Sequence, residues 1–173
     1  LSIGYAVPGL ILAVGMVQLL VYLDNLAFSG FDIVLTGSLL GLVLAYVIKT
    51  YALANSSIES GYERISYSLD DSSKLLGSTS WNMLGNIHIP LLKTSILTSV
   101  LLVMSDVVKE LPATLILRPF NFETLAVSTY IYASEERMIQ AAAPAIAIVL
   151  IGLIPIVLLS KMIRSSRPIE NRE

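Results

Sequence analysis

Cysteine is missing from the 173 residues, and histidine and tryptophan occur once each. Without thiols there is neither a disulfide framework nor a thiolate metal site. His88 stands alone, with no H-E-x-x-H pattern around it, so a catalytic metal centre has nothing to rest on. No glycine-rich stretch ends in Lys-Ser or Lys-Thr, which excludes ATP binding by the phosphate-loop route. Charge is scarce as well. Only 14% of residues are charged, and the net charge of -2 gives no general attraction for nucleic acid. The chain opens at Leu1 with no initiator methionine and no charged segment leading to a cleavage site, so it does not read as starting with a signal peptide. A piece of a longer polypeptide is expected.

What is there is apolar. Hydrophobic residues make up 55% of the chain and the mean hydropathy is +0.77, far above a soluble domain. The expected fold class is an all-α membrane protein of about four spanning helices, each needing about 20 residues to cross a bilayer. The first runs from about Ile3 to Leu23, with Pro8 near its start and Gln18 as its one strongly polar group. A hydrogen bond to an adjacent helix is the favoured role for Gln18, ahead of a substrate contact. The second runs from about Ile33 to Ala54. It carries Gly37 and Gly41 at the G-x-x-x-G spacing of close helix packing, and Lys49 near its end, placed to snorkel to the interface.

The third segment, Leu91 to about Val108, is rich in Ser and Thr, among them Ser99. Small hydroxylated residues on a membrane helix mean tight packing or the lining of a polar path. Asp106 needs water, a partner or an end position, because an acid near the bilayer centre costs about 2.5 to 3.5 kcal/mol. Lys109 and Glu110 follow at three and four residues, on the same helix face. The cluster either ends the helix at the interface or belongs to a substrate path. Pro112, Pro119 and Asn121 then break the apolar LPATLILRPF, which reads as a re-entrant or interfacial loop followed by a short helix around Thr124 to Ala133. The fourth segment runs from about Gln140 to Leu159 and contains Pro144 and Pro155, tolerated in membrane helices with a kink.

Between the second and third segments lies the longest polar interval, and the rest of the chain is arranged around it. Ser56 with Glu59 three residues later has the spacing of a capping box, which is expected to start a helix here. Ile58, Tyr62, Ile65, Leu69 and Leu76 recur at helical steps, predicting an amphipathic helix that Gly77 stops in the left-handed conformation. Ser78, Thr79 and Ser80 are ready N-caps for a second, short helix around Trp81 to Ile87, which runs into Pro90.

The spacing Asp71-Ser72-Ser73, three residues, Gly77, nine residues, Ile87, one residue, Ile89-Pro90 resembles the cytoplasmic EAA loop of ABC importer permeases, E-A-A-x3-G-x9-I-x-L-P. Asp71 stands for Glu, Ser72 and Ser73 for the two alanines, and Ile89 for Leu. The resemblance implies the fold of a type I ABC importer transmembrane domain, in which this loop docks in a cleft of the ATP-hydrolysing subunit. Asp71, Ser72, Ser73, Gly77, Trp81, Ile87, Ile89 and Pro90 would then be the ATPase-coupling residues, Asp71 and Gly77 foremost. DVVKELPATLILRPFNFETLAVSTYIYAS and the apolar run after it are similar to ferric iron importer permeases, which resemble a fusion of two halves. The chain matches the C-terminal half. Permeases for thiamine, polyamines and aminophosphonates share much of the pattern, so these substrates stay open beside ferric iron.

The implied partners are an ABC ATPase dimer, a second permease half, a periplasmic substrate-binding protein and the bilayer of a bacterial inner membrane. No cofactor belongs to this chain, ATP and magnesium being bound by the ATPase. Residues 1-163 form the permease core, with the coupling loop over 55-90, an external loop over 109-139 and a cytoplasmic tail over 164-173. Basic residues agree with that orientation: Lys49, Arg64, Lys74, Lys93, Lys161, Arg164, Arg167 and Arg172 fall inside, against Lys109, Arg118 and Arg137 outside. Ser99, Asp106 and Glu110 are candidates for the substrate path, and His88 reads as a polar residue of the loop. Two other classes remain. A secondary transporter would need a proton relay for which only Asp106 is available, and a membrane scaffold would use the polar loop for docking alone.

Overall fold

The computed structural model describes residues 8-27 and 34-165. Every regular element among them is helical. Helix α1 covers Gly9–Ala27 and α2 covers Leu39–Tyr62. A loop follows with α3 (Tyr67–Leu75) and the single turn α4 (Ser80–Met83), which passes through a π-helical turn at Leu84–His88 into α5 (Ile89–Val108). Two short helices, α6 (Pro112–Leu117) and α7 (Leu125–Ser134), lead to α8 (Met138–Ser165). Four helical stretches are long and apolar enough to cross a membrane: Gly9–Leu26, Leu39–Tyr62, Ser80–Val108 and Met138–Lys161.

The second span lies further along the chain than its hydropathy suggests. Gly37 is not on the helix at all. Its φ of 70° puts it in the turn before α2, so the G-x-x-x-G pair does not form a helix face. Ser38 caps the helix instead, accepting from the Gly41 backbone N–H at 3.1 Å. Gly41 does serve close packing, since a β-carbon there would stand 2.8 Å from Leu20 Cδ1 on α1. Asp24 near the end of α1 accepts from the backbone N–H groups of Leu35 and Thr36 and from the Thr36 hydroxyl, tying the two helices across the intervening segment. Gln18 is exposed and has no hydrogen bond among the described residues, contrary to the interhelical bond expected of it.

At the far end, α2 runs on to Tyr62. The expected capping box therefore does not form: Ser56 is inside the helix, with its hydroxyl donating to the Leu53 carbonyl. This extension moves Lys49 from the helix end to its middle, so snorkelling is not available to it. Its ammonium group instead forms an ion pair with Glu110, and both side chains are largely buried. Glu110 also accepts from the Ala113 backbone N–H at 3.2 Å, and Thr114, which donates to the Glu110 carbonyl, shares a 2.5 Å hydrogen bond with Tyr46. LPATLILRPF does not turn back as a re-entrant loop would: from Ser95 beside Gly61, through Glu110 beside Lys49 and Thr114 beside Tyr46, the chain keeps running antiparallel to α2, and α6 packs into the core of Ala13, Met16, Leu20, Leu42, Ala45, Ala113 and Leu117.

Near the loop, α2 and α5 make the most extensive helix contact. Gly61 allows it: a β-carbon at that position would collide with the Ser95 side chain. Along α8 the structure departs from the expected span only in length, since the helix continues through Arg164 and Ser165, and both Pro144 and Pro155 lie inside it. The remaining tail call, 166-173, lies outside the described residues, as do the start of the first segment and the centre of the Asp24 to Asp32 link.

The Lys49–Glu110 pair sets a clear expectation. Removing one partner, as in Glu110→Ala or Lys49→Ala, strands a buried charge and should destabilise the protein by about 3 to 5 kcal/mol. The double replacement Lys49→Met with Glu110→Gln should recover much of that loss. Thermal unfolding of the detergent-solubilised variants, followed by size-exclusion fluorescence, checks the order.

Candidate functional site

The loop between the two central spans is built from local backbone signals. After Tyr62 the chain leaves α2 through a turn in which Glu63 N–H reaches Glu59 O at 2.9 Å and Ile65 N–H reaches Tyr62 O at 2.9 Å. The single amphipathic helix expected from Ile58 to Leu76 is thus two: Ile58 and Tyr62 belong to α2, and Leu69 to α3. Helix α3 carries Asp70 in its first turn and Lys74 in its last, each at the end its charge favours.

Gly77 ends α3 as predicted, with φ 80°. The bonds Gly77 N–H to Lys74 O (2.9 Å) and Ser78 N–H to Ser73 O (3.1 Å) form the paired closure of a Schellman motif. A β-carbon on Gly77 would touch nothing within 4 Å, so the glycine is required by backbone conformation alone. Of the three possible caps, Thr79 is used, its hydroxyl accepting from Asn82 N–H.

Pro90 explains the next feature. It has no N–H to give, and in an α-helix its ring would press on the carbonyl four residues back. The helix widens just before it: Ile89 N–H bonds to Leu84 O, five residues back, and α4, the π turn and α5 remain one continuous rod. At about 1.5 Å per residue, the 29 residues from Ser80 to Val108 reach about 43 Å. The end of the loop and the third span are therefore one helix without a break.

The motif residues divide by environment. Asp71 and Ser72 are exposed on α3, and Trp81 is exposed in the first turn of α4. Around the Gly77 stop, Leu75, Leu76 and Trp81 are 89%, 86% and 82% exposed, an apolar tip left uncovered among the described residues. Ser73 is the exception. It is 5% exposed and its hydroxyl has no partner among the described residues, so the position suits the methyl group of an alanine better than a hydroxyl. Ile87 is half-buried, while Ile89 and Pro90 are exposed at the start of α5.

One residue of this region carries no signal strong enough to find from sequence. His88, the variable position between Ile87 and Ile89, is buried, with Nε2 3.0 Å from Asp70 Oδ1 and its ring 5.3 Å from that of Tyr62. Beside it opens a cleft of about 320 Å³ lined by Tyr62, Ser80, Trp81, Met83, Leu84 and His88.

The expected substrate-path residues are not brought together. Ser99 is buried on α5. Asp106 pairs with Lys109 at 3.5 Å near the end of α5, as an interfacial cluster would. Glu110 does not share their face: α5 ends at Val108, and the chain turns Glu110 inward to Lys49 instead of toward an open path. Among the described residues, no three His, Asp or Glu side chains gather as a metal site.

Comparison with known proteins agrees with this architecture. The chain is 24% identical over 157 residues to the Fe(3+)-transport system permease protein FbpB 2 of Haemophilus influenzae, covering 91% of this chain and 29% of that protein. It is 27% identical over 128 residues to a putative 2-aminoethylphosphonate transport system permease protein, PhnV, of Salmonella typhimurium, covering 74% of this chain and 48% of that protein. The chain thus spans under half the length of either relative. Residues 1–166 match the family model described as binding-protein-dependent transport system inner membrane component, and the four apolar spans around a Gly77-centred loop fit it, so the chain belongs to that family, the all-α membrane domain of type I ABC importers.

Proposed function

We propose that this chain is the C-terminal half of the permease of an ATP-driven importer, and that its loop from α3 to α4 docks on a separate ATPase dimer on the cytoplasmic side. The observation that carries this reading is the apolar tip of Leu75, Leu76 and Trp81 around Gly77, left uncovered on a loop that keeps the EAA-like spacing. Hydrophobic groups of this size exposed together belong to an interface. The loop end also keeps its basic excess after Lys49 is removed from the count, with Arg64, Lys74, Lys93, Lys161 and Arg164 against Lys109, Arg118 and Arg137 at the other end.

In this mechanism the chain performs no chemistry. ATP and magnesium are bound by the ATPase, whose closure pulls the docked segment from Asp71 to Trp81. The continuous rod from Ser80 to Val108 turns the pull into rocking of the membrane helices. The cycle works only because the ATPase binds the two permease states with different affinity. A periplasmic binding protein delivers the substrate, which passes between this half and a second one. Ser99 and Asp106 are the lining candidates, whereas Glu110 holds Lys49 in the conformation described.

Ferric iron is the proposed substrate, on the similarity to the FbpB 2 permease over most of this chain. The similarity to a 2-aminoethylphosphonate permease supports the second reading. The test is uptake into vesicles holding the full-length permease, its ATPase and its binding protein, with labelled ferric iron and labelled 2-aminoethylphosphonate in parallel. ATP-dependent iron accumulation is expected. Accumulation of the phosphonate alone reassigns the substrate, and failure of the ATPase to associate overturns the docking reading.

Two substitutions probe the loop. Gly77→Val forces a β-branched residue into a left-handed turn at a cost of about 1 kcal/mol or more, and should abolish uptake while the permease still inserts in the membrane; full transport by the variant would contradict the coupling role. Ser73→Ala removes an unpartnered buried hydroxyl, whose burial costs about 1 to 3 kcal/mol, and should raise the melting temperature of the solubilised permease.

A further inference from the structure

The docking loop is a hairpin of two helical arms joined at a glycine, and such a hairpin flexes unless something spans it. Arm α3 is held weakly. Its serines bond locally, Ser66 to Ser68 at 2.8 Å, and a cleft of about 80 Å³ lined by Tyr62, Glu63, Ile65, Ser66 and Asp70 opens at its base. Among the described residues, one side-chain hydrogen bond joins α3 to the spans: His88 to Asp70, 3.0 Å long and 18 residues apart in sequence. A carboxylate only accepts, so His88 Nε2–H is the donor.

The setting of this bond distinguishes it from a surface contact. His88 is 4% exposed and closes the π turn, where one extra residue in the ring swings its side chain relative to an α-helical path. The Tyr62 ring, on the last residue of α2, lies against the imidazole. One histidine therefore touches the end of α2, the arm α3 and the root of α5, the three elements that must move together if a pull on the loop is to reach the membrane.

We propose that His88 and Asp70 are a positioning pair that braces the docking hairpin, so that displacement of its tip carries α3 and α5 as one lever. The inference rests on the reading of the loop as the ATPase-docking element. Without the brace, the tip yields about Gly77 and the turn at 63-66, and ATP is hydrolysed without moving the spans. The pair touches neither nucleotide nor substrate.

The experiment uses the full-length permease with its ATPase and binding protein in vesicles, carrying His88→Ala, Asp70→Ala, both together, or His88→Gln. Three quantities are read: ATPase retained on purification, ATP hydrolysis, and uptake per ATP of the substrate that the unaltered system transports. Loss of a hydrogen bond to a charged group corresponds to about tenfold or more in an equilibrium, so uptake per ATP is expected to fall about tenfold in each alanine variant with ATPase retention unchanged. The double variant should be no worse than the poorer single one, because the two residues act as a unit. His88→Gln, whose amide N–H lies the same number of bonds from the backbone, should restore most of the coupling. Unchanged uptake per ATP in His88→Ala overturns the brace while leaving the docking reading intact. Loss of uptake only in proportion to lost protein or lost ATPase overturns it too, as a merely structural role. If the unaltered permease recruits no ATPase, the docking reading itself falls and the proposal falls with it.

Discussion

A lysine and a glutamate withdrawn from water are tolerable only in each other's company, and the Lys49–Glu110 pair imposes that condition on the membrane-embedded part of the chain. Because Lys49 is at the middle of α2, the corner between α5 and α6 must come to it. Glu110 satisfies this by leaving the α5 helix and turning inward, and the same turn brings the Ala113 N–H and Thr114 hydroxyl into bonding positions. Helix α6 then carries on antiparallel to α2, where Ala113 and Leu117 complete the core with Ala13, Met16 and Leu20 of α1. An interrupted, proline-started segment too short to span is thereby buried in protein, one of the settings in which a broken segment is stable at membrane depth.

The other end of α2 obeys a different constraint. Gly61 brings the backbones of α2 and α5 together so closely that Ser95 occupies the space of a side chain. The arms of the loop leave from this crossing and inherit its spacing. Pro90 lies a few residues before it, and its missing donor would normally kink or stop a membrane helix. The π turn absorbs the fault without ending the rod, and the residue it displaces is His88. The irregularity that keeps the span continuous is thus also what aims the chain's one histidine at Asp70.

Features fixed by neighbours in sequence were legible without the structure. Four apolar runs marked the spans, Gly77 marked the stop of α3, the hydroxyl cluster contained the cap at Thr79, and Pro112 with Pro119 marked a segment that could not cross. Features fixed by distant partners were not. Hydropathy drops at Asn55 to Ser57, so α2 looked finished there, although the crossing with α5 carries it on to Tyr62. That misreading placed Lys49 at an interface and left Glu110, 61 residues away, without a visible partner. Helical periodicity likewise ran through Ile58, Tyr62 and Leu69 without revealing the turn between them, since apolar spacing does not register a break that preserves its phase. At the loop, the motif spacing pointed to Asp71 and Gly77, but nothing local distinguished His88 from any polar loop residue.

The distribution of burial explains why the tip and the root of the loop differ in character. At the tip, Leu75, Leu76 and Trp81 are left uncovered by the described residues, and a β-carbon on Gly77 would touch none of them within 4 Å. Such a surface can adapt to what covers it. At the root, Gly61 against Ser95, Tyr62 against His88, and His88 against Asp70 leave little room for independent movement. Under the proposed docking, a lever driven by differences in binding affinity requires this order, soft where the ATPase is fitted and stiff where the displacement is passed on. Softness at the root would dissipate the displacement before it reached α5, and stiffness at the tip would favour one state of the partner over the other before ATP had bound. The continuous helix from Ser80 to Val108 extends the stiff part into the bilayer, where α8 packs alongside α5 and turns most of its apolar surface outward, toward lipid or a second half.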